Sequence, residues 1–230
     1  MIAAAGSGQR LGAGGPKAFV PLAGRAMVEW SIAACRAAPS VRSILVARPP
    51  GHVHDLGGGD VGVVDGGATR AESVSNALAA VGTELVAIHD AARPLVTPQL
   101  IEEVVATLVA DTDAAGAIAA APVTDTIKRS RTDAALTTSE SVNAVRVVEQ
   151  TVDRGSLWAA QTPQVFRVEA LRSALGAGAQ LSEVTDEAMM AEAAGGRVLI
   201  LPSSAENLKV TTPLDLRLAE FLLAERSADA

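Results

Sequence analysis

Aromatic side chains are almost missing from this chain: three Phe, two Trp and no Tyr make up 2% of 230 residues. A protein that grips single-stranded nucleic acid by stacking needs a platform of such rings, and none can be built here. Positive charge is also scarce. Nineteen Lys and Arg stand against 26 Asp and Glu, a formal net charge of −7, which opposes the broad basic footprint of a DNA- or RNA-binding surface. A small anionic substrate is still compatible, provided the few cations converge. With one cysteine there is no internal disulfide, and Cys35 lies in an apolar helical pattern that reads as core. No apolar run reaches the length of a membrane span, and Met1 leads straight into a strand without a signal sequence. The expected location is therefore the cytoplasm.

What is present is a 49% hydrophobic complement rich in Ala and Val, enough for one sizeable α/β domain covering 1–230. Apolar periodicity predicts helices at Ala26–Ala38, Ala71–Val81, Val168–Leu175 and Asp186–Ala194. Another follows the Thr97-Pro98 cap, and a last one starts at Thr212-Pro213 with Leu214, Leu218, Phe221 and Leu222 as its apolar face. Strands are expected at Ile2–Ala5, Ser43–Ala47, Val61–Val64, Leu85–Ile88, Ala114–Ala121, Arg197–Leu201 and Asn207–Val210. Strand and helix alternate up to Ala121, the pattern of an open, mostly parallel twisted sheet with crossover helices. Residues 123–155 break the rhythm. They are polar, with β-branched stretches at Thr124–Ile127 and Val142–Val152, and read as a β-hairpin arm projecting from the sheet.

The densest signal is at the start. After Ile2–Ala5, the glycines 6, 8, 12, 14 and 15 form a loop with few side chains, whose backbone N–H groups can approach an anion. Arg10 and Lys17 are its only cations. A flexible turn without a ligand is the competing reading. The P-loop pattern fails because Lys17 lies between Pro16 and Ala18. The dinucleotide fingerprint is one residue too long and does not open into a helix, because Gly14-Gly15-Pro16 intervene. The stretch Ala4 to Lys17 resembles instead the A-A-G-x-G-x-R…P-K signature of nucleotidyltransferases.

Asp90 follows the strand Leu85–Ile88, so it faces the crevice at the carboxyl ends of the strands, beside the glycine loop. Exposed there, it could hold Mg²⁺; capping the next turn is the alternative. His52 and His54 are spaced as a zinc pair but no third ligand can be named, so they read as surface loop.

Read together, His89-Asp90-Ala91-Ala92-Arg93-Pro94, Gly66-Gly67-Ala68-Thr69-Arg70-Ala71-Glu72-Ser73-Val74 and Pro122-Val123-Thr124-Asp125-Thr126-Ile127-Lys128 resemble the motifs of 2-C-methyl-D-erythritol 4-phosphate cytidylyltransferases. So do Thr151–Arg154, Leu157–Gln164, Thr185-Asp186-Glu187 and Asn207–Thr211. The ordered set spans nearly the whole chain. The resemblance implies a Rossmann-like nucleotidyltransferase fold, and cytidylyl transfer from CTP to a sugar-alcohol phosphate with Mg²⁺. It further implies a homodimer joined through the 123–155 arm. The implied catalytic residues are Arg10, Lys17 and Asp90, with Asp90 also the metal residue. The nucleotide would be held by Ala4, Ala5, Gly6, Ser7, Gly8, Gly67 and Ser73. The acceptor would be held by Arg93, Thr126, Arg154, Thr162, Thr185 and Lys209, with Thr126 and Arg154 as candidates to act on the partner's site. Where this chain has Ala68, some relatives carry an acid. Family members generally begin with several residues before the Ala-Ala-Gly, so either the first strand is short here or the true start lies upstream of Met1. An acceptor such as ribitol 5-phosphate, a nucleotide-binding module without turnover and a dinucleotide-dependent oxidoreductase are the alternatives.

Overall fold

The computed structural model describes residues 1–6, 8, 11, 15–56, 58–132, 145–176 and 186–228. The predicted site residues Ser7, Arg10 and Thr185 lie outside them. The chain divides into two compact units, Met1–Ala120 with Ala160–Ala230, and Ala121–Ala159.

In chain order the larger unit begins with β1 (Ile2–Ala3) and a 3₁₀ turn at Lys17–Phe19. A short hairpin follows, formed by β2 (Pro21–Leu22) and β3 (Arg25–Ala26). Then come α1 (Met27–Ala37), β4 (Ile44–Arg48), β5 (Val61–Asp65), α2 (Arg70–Leu78), β6 (Leu85–Asp90) and α3 (Pro98–Val109). β7 (Ala114–Pro122) leads out to the smaller unit, which holds β8 (Lys128–Thr132) and β9 (Arg146–Thr151). β10 (Trp158–Arg167) returns, followed by α4 (Val168–Gly176), α5 (Glu187–Ala193), β11 (Arg197–Pro202) and α6 (Pro213–Ala228). Seven strands form one sheet in the order β11-β7-β10-β6-β1-β4-β5. β5, β4, β1 and β6 are mutually parallel, β11 is parallel to β7, and β10 runs antiparallel to β6. The fold class is the expected one: a mostly parallel α/β sheet with a separate antiparallel hairpin.

The helices start where the caps dictate. Thr69 and Glu72 form a reciprocal capping box on α2, and Thr97 caps α3 ahead of Pro98. β6 is buried on both faces. Val86 and Ile88 pack with Val74, Leu78 and Leu171 from α2 and α4, whereas Leu85 and Ala87 lie against Val104 and Leu108 of α3. That two-sided burial explains the unbroken apolar run Leu85–Ile88.

The structure departs from the sequence reading at five places. Asn207–Val210 is not a strand; side-chain bonds from Asn207 and a bond from Val210 N–H to Ala92 O hold the segment instead. Thr124–Ile127 is also irregular, and the first hairpin strand begins at Lys128. β10 was not anticipated. Its Gln161-Thr162-Pro163-Gln164 run looks like loop, yet its polar side chains are buried and bonded to Asn207, Ser204, Asp90 and Asp186. On α6, Leu214, Leu218 and Phe221 are exposed; the buried stripe is Ala219 and Leu223, flanked by Leu216 and Leu222, against Leu22, Met27 and Leu95. Leucines on several sides of that helix left its periodicity without a unique face. The β2–β3 hairpin was also missed; its two-residue turn uses positive φ at Ala23 and Gly24.

Candidate active site

β4 and β5 lie on one side of β1, and β6 opens the other side, so β1 and β6 flank the point where the chain changes direction. Open α/β sheets bind ligands at the carboxyl ends of the strands there. Ala3 pairs with Asp90, bringing the two strand ends side by side. A cavity of about 690 Å³ opens at this point, lined by Ala4, Ala5, Gly6, Gly8, Lys17, Gly67, Ser73, Asp90 and Lys209, together with Thr69 and Arg70.

The glycine loop closes on itself through a bond from Lys17 N–H to Gly6 O, 3.2 Å. Gly8, at φ +69°, sits so close to Lys17 that a Cβ there would fall 2.7 Å from the Lys17 Cβ. Only glycine permits both the angle and the contact. The turn after β5 is equally tight: a Cβ on Gly66 would meet that of Ala5 at 2.5 Å. Ser73 holds this turn. Its hydroxyl accepts from Gly67 N–H (3.0 Å) and donates to Thr69 O (2.9 Å). Glu72 takes the next two N–H groups, of Ala68 and Thr69.

Asp90 is buried, not exposed as the sequence suggested. Lys209 Nζ donates to its Oδ2 at 2.6 Å, while Arg70 Nε and Nη2 donate to Oδ1 at 3.2 and 3.1 Å. Arg70 Nη1 also donates to Glu187, a fully buried carboxylate. Burial works to raise the pKa of Asp90, but Arg70 and then Lys209 outweigh it and hold the carboxyl well below the usual range. Glu187 moves the other way: burial pushes its pKa up against the pull of Arg70.

Behind Asp90 a second chain of bonds runs through Thr162 and His89. Asp90 N–H donates to Thr162 Oγ1 (3.0 Å), which lies 3.0 Å from His89 Nδ1; His89 Nε2 lies 3.1 Å from Arg93 O. A carbonyl can only accept, so Nε2 carries the proton and Nδ1 accepts from the threonine hydroxyl. Burial lowers the His89 pKa to about 4, against the pull of Asp90. Its folded pKa therefore lies below the unfolded 6.5. The unfolded chain binds the extra proton between pH 6.5 and 4, so this contribution is complete above about 6.5 and lost as pH falls towards about 4. Chemical denaturation is expected to show a loss of about 3 kcal/mol across that window from this group, and His89→Gln should flatten the slope there. An equal slope in the variant would assign the loss to other groups.

Of the remaining predicted residues, Arg93 donates to Asn207 O at 2.7 Å and Ala160 O at 3.2 Å, fastening the Lys209 segment and β10 rather than lining the cavity. Thr162 likewise acts from behind Asp90. Thr126 and Arg154 belong to the smaller unit, where Arg154 donates to Thr124 O. His52 and His54 face the Phe19 ring, and His54 pairs with Glu29 at 2.9 Å; no group of three or more His, Cys, Asp or Glu able to hold a metal occurs among the described residues. Sequence reasoning quoted Arg70 and Glu187 within motifs and gave neither a role. They are 117 residues apart, so no local spacing could have paired them.

The sequence profile of the 2-C-methyl-D-erythritol 4-phosphate cytidylyltransferases matches residues 1–225. The chain belongs to this family. A cytidylyltransferase of this name from Azoarcus sp. (strain BH72) is 40% identical over 239 residues, 99% of this chain and 94% of that one. One from Parasynechococcus marenigrum (strain WH8102) is 41% identical over 240 residues, 100% and 99% of the two chains. The crystal structure of the cytidylyltransferase from Thermus thermophilus superposes with a TM-score of 0.75 at 33% identity, covering 96% of each chain.

Cytidylyltransferase chemistry brings Mg²⁺ into question. That ion takes one or two carboxylates plus substrate phosphate oxygens, and among the described residues lining the cavity the carboxylate is Asp90. Both Asp90 oxygens already carry cations. Asp90 is the residue that would hold an ion arriving with the triphosphate, and the ion would supply positive charge at the phosphates.

Proposed function

We propose that this chain transfers the cytidylyl group of CTP to the phosphate of 2-C-methyl-D-erythritol 4-phosphate, giving 4-diphosphocytidyl-2-C-methyl-D-erythritol and pyrophosphate for isoprenoid precursor synthesis. The observation that carries the reading is the convergence of Gly6, Gly8, Lys17, Asp90 and Lys209 on one cavity at the change of direction of the sheet, in a chain matched over residues 1–225 by that family. A phosphate-monoester oxygen of the acceptor attacks the α-phosphorus and the bond to the β-phosphate oxygen breaks. The attacking phosphate has a second pKa near 6 and is mostly dianionic at pH 7, so no general base is needed. This agrees with His89, whose ring nitrogens are both engaged. The demand is for positive charge where two polyanions meet, and a preorganised cation of this kind is worth about 10²–10³ in rate.

In this reading Lys17, with Arg10 assigned by its signature, serves the nucleotide phosphates. Lys209 serves the acceptor, with Thr185 assigned by its motif. Mg²⁺ supplies charge neutralisation when bound. Thr126 and Arg154, assigned by their motifs, serve the acceptor phosphate. The smaller unit is built on a two-stranded sheet and exposes Ile127, Val145, Val148 and Trp158. Two strands rarely stand alone, so we assign the unit to a two-fold homodimer in which it is covered by a second copy. A nucleoside triphosphate substrate places the work in the cytoplasm, and no helix among the described residues is long and apolar enough to cross a membrane.

The test pairs CTP, ATP, GTP and UTP with 2-C-methyl-D-erythritol 4-phosphate, ribitol 5-phosphate and related alcohol phosphates, measuring pyrophosphate release. CTP with the methylerythritol phosphate should exceed every other pair in kcat/KM by roughly 10²-fold or more. Preference for ribitol 5-phosphate would reassign the acceptor, and CTP binding without pyrophosphate from any acceptor would leave a nucleotide-binding module.

A further inference from the structure

Four charged side chains form an unbranched series that ends in the cavity. Glu187 accepts from Arg70 Nη1, Arg70 holds Asp90 Oδ1 through Nε and Nη2, and Asp90 Oδ2 holds Lys209 Nζ at 2.6 Å. Side-chain exposure along it is 1% at Glu187, 26% at Arg70, 13% at Asp90 and 43% at Lys209. One end is sealed and the other open. Glu187 is sealed from the cavity, its Oε2 has no hydrogen-bond partner among the described residues, and the side chain its other oxygen meets is Arg70.

Burying that carboxylate is costly, and apolar residues of similar volume commonly serve a core as well or better. What the charge does is pin Arg70. The guanidinium is a planar fork whose edges face different partners: Nε and Nη2 meet Asp90 while Nη1 meets Glu187. A guanidinium bound only to Asp90 would be free to follow a phosphate into the cavity; bound on both edges, it stays. Glu187 is itself mounted on the first turn of α5, whose start is fixed by Asp186 accepting from Met189 N–H. From below, Asp90 is held by Thr162. Lys209 is thus left as the one member of the series with room to move.

We infer that Glu187 and Arg70 are a positioning pair for the transfer reaction, holding Asp90 as a fixed rest from which the Lys209 ammonium is presented to the acceptor phosphate. The inference rests on the cytidylyltransferase reading and deepens it. Neither residue needs to touch the reacting atoms.

A double-mutant cycle separates this from a purely structural role. The first arm is wild-type turnover of CTP with 2-C-methyl-D-erythritol 4-phosphate. If that fails, the functional reading falls and takes this inference with it, before any variant is considered. With turnover in hand, Glu187→Gln, which keeps shape and one acceptor, should lower kcat/KM for the acceptor about 10-fold at saturating CTP, leaving the KM for CTP within about 2-fold. On a Lys209→Ala background the same substitution should cost less than about 2-fold, because the group it acts through is gone. Arg70→Lys, which keeps the charge and loses the fork, gives a second route to the same cycle should Glu187→Gln melt below the assay temperature. Equal fold-losses on both backgrounds, or an unchanged kcat/KM in the single variants, would overturn the inference.

Discussion

Lys17→Ala is expected to lower kcat by about 10²-fold or more while changing the KM for CTP far less. The physical reason is timing. Negative charge grows at the α-phosphate as the new bond forms, so a fixed ammonium contributes more in the transition state than when CTP first binds. The substitution is also a clean one. Alanine keeps the Cβ against which Gly8 rests, and the Lys17 N–H to Gly6 O bond belongs to the backbone. Both of those contacts survive while the charge disappears. Steady-state kinetics with CTP varied at saturating acceptor reads the two parameters apart. A variant with near-normal kcat would remove Lys17 from the chemistry, and a rise in KM alone would make it a binding residue.

The second large effect is a gain. Lys17→Ala and Arg154→Ala homodimers should each be nearly inactive, and mixing them should restore activity if Arg154 serves the partner's site. In a mixed dimer one site then carries both lesions and the other carries neither. Random exchange of equal amounts makes about half the dimers mixed, so about one quarter of the wild-type activity should return. If Arg154 serves its own chain, every mixed site carries one lesion and the mixture stays inactive. Light scattering comes first: a monomer that turns over normally at micromolar concentration would end the dimer proposal. A purely structural role for Arg154 would show as an inactive mixture together with a lowered melting temperature.

Much of this arrangement was legible in the sequence, for reasons that differ from residue to residue. Gly6, Gly8 and Lys17 lie within twelve positions, and a backbone that must approach an anion leaves its mark as missing side chains. Asp90 was legible because a strand end in a parallel sheet has a predictable address. Its burial was not, since both cations that cover it come from elsewhere: Arg70 lies 20 residues before it and Lys209 119 after. Glu187 was obscured by its position at a helix start, where an acid needs no further explanation. β10 was missed for a related reason. Proline argues against a central strand, and Gln161, Thr162 and Gln164 look like loop until Asn207, Asp90 and Asp186 are seen to take up their polar groups. The exposed side of α6 was misread because Leu and Phe occupy both possible faces, and only the position of Leu22 and Leu95 selects between them.

Lys209 resting on Asp90 makes the cavity an ion exchanger. Any anion that draws the ammonium away strips one carboxylate oxygen of its partner, so the number of ion pairs does not rise. Chloride or free phosphate offers a single contact and has nothing to set against that loss. A ligand that also lies along the Gly6–Gly8 loop and the turn at Gly66 does. Discrimination against the small anions that outnumber any nucleotide in a cell then begins with a contact the protein makes to itself. The cytidylylated product leaving the site would be helped by the same carboxylate, which takes its cation back.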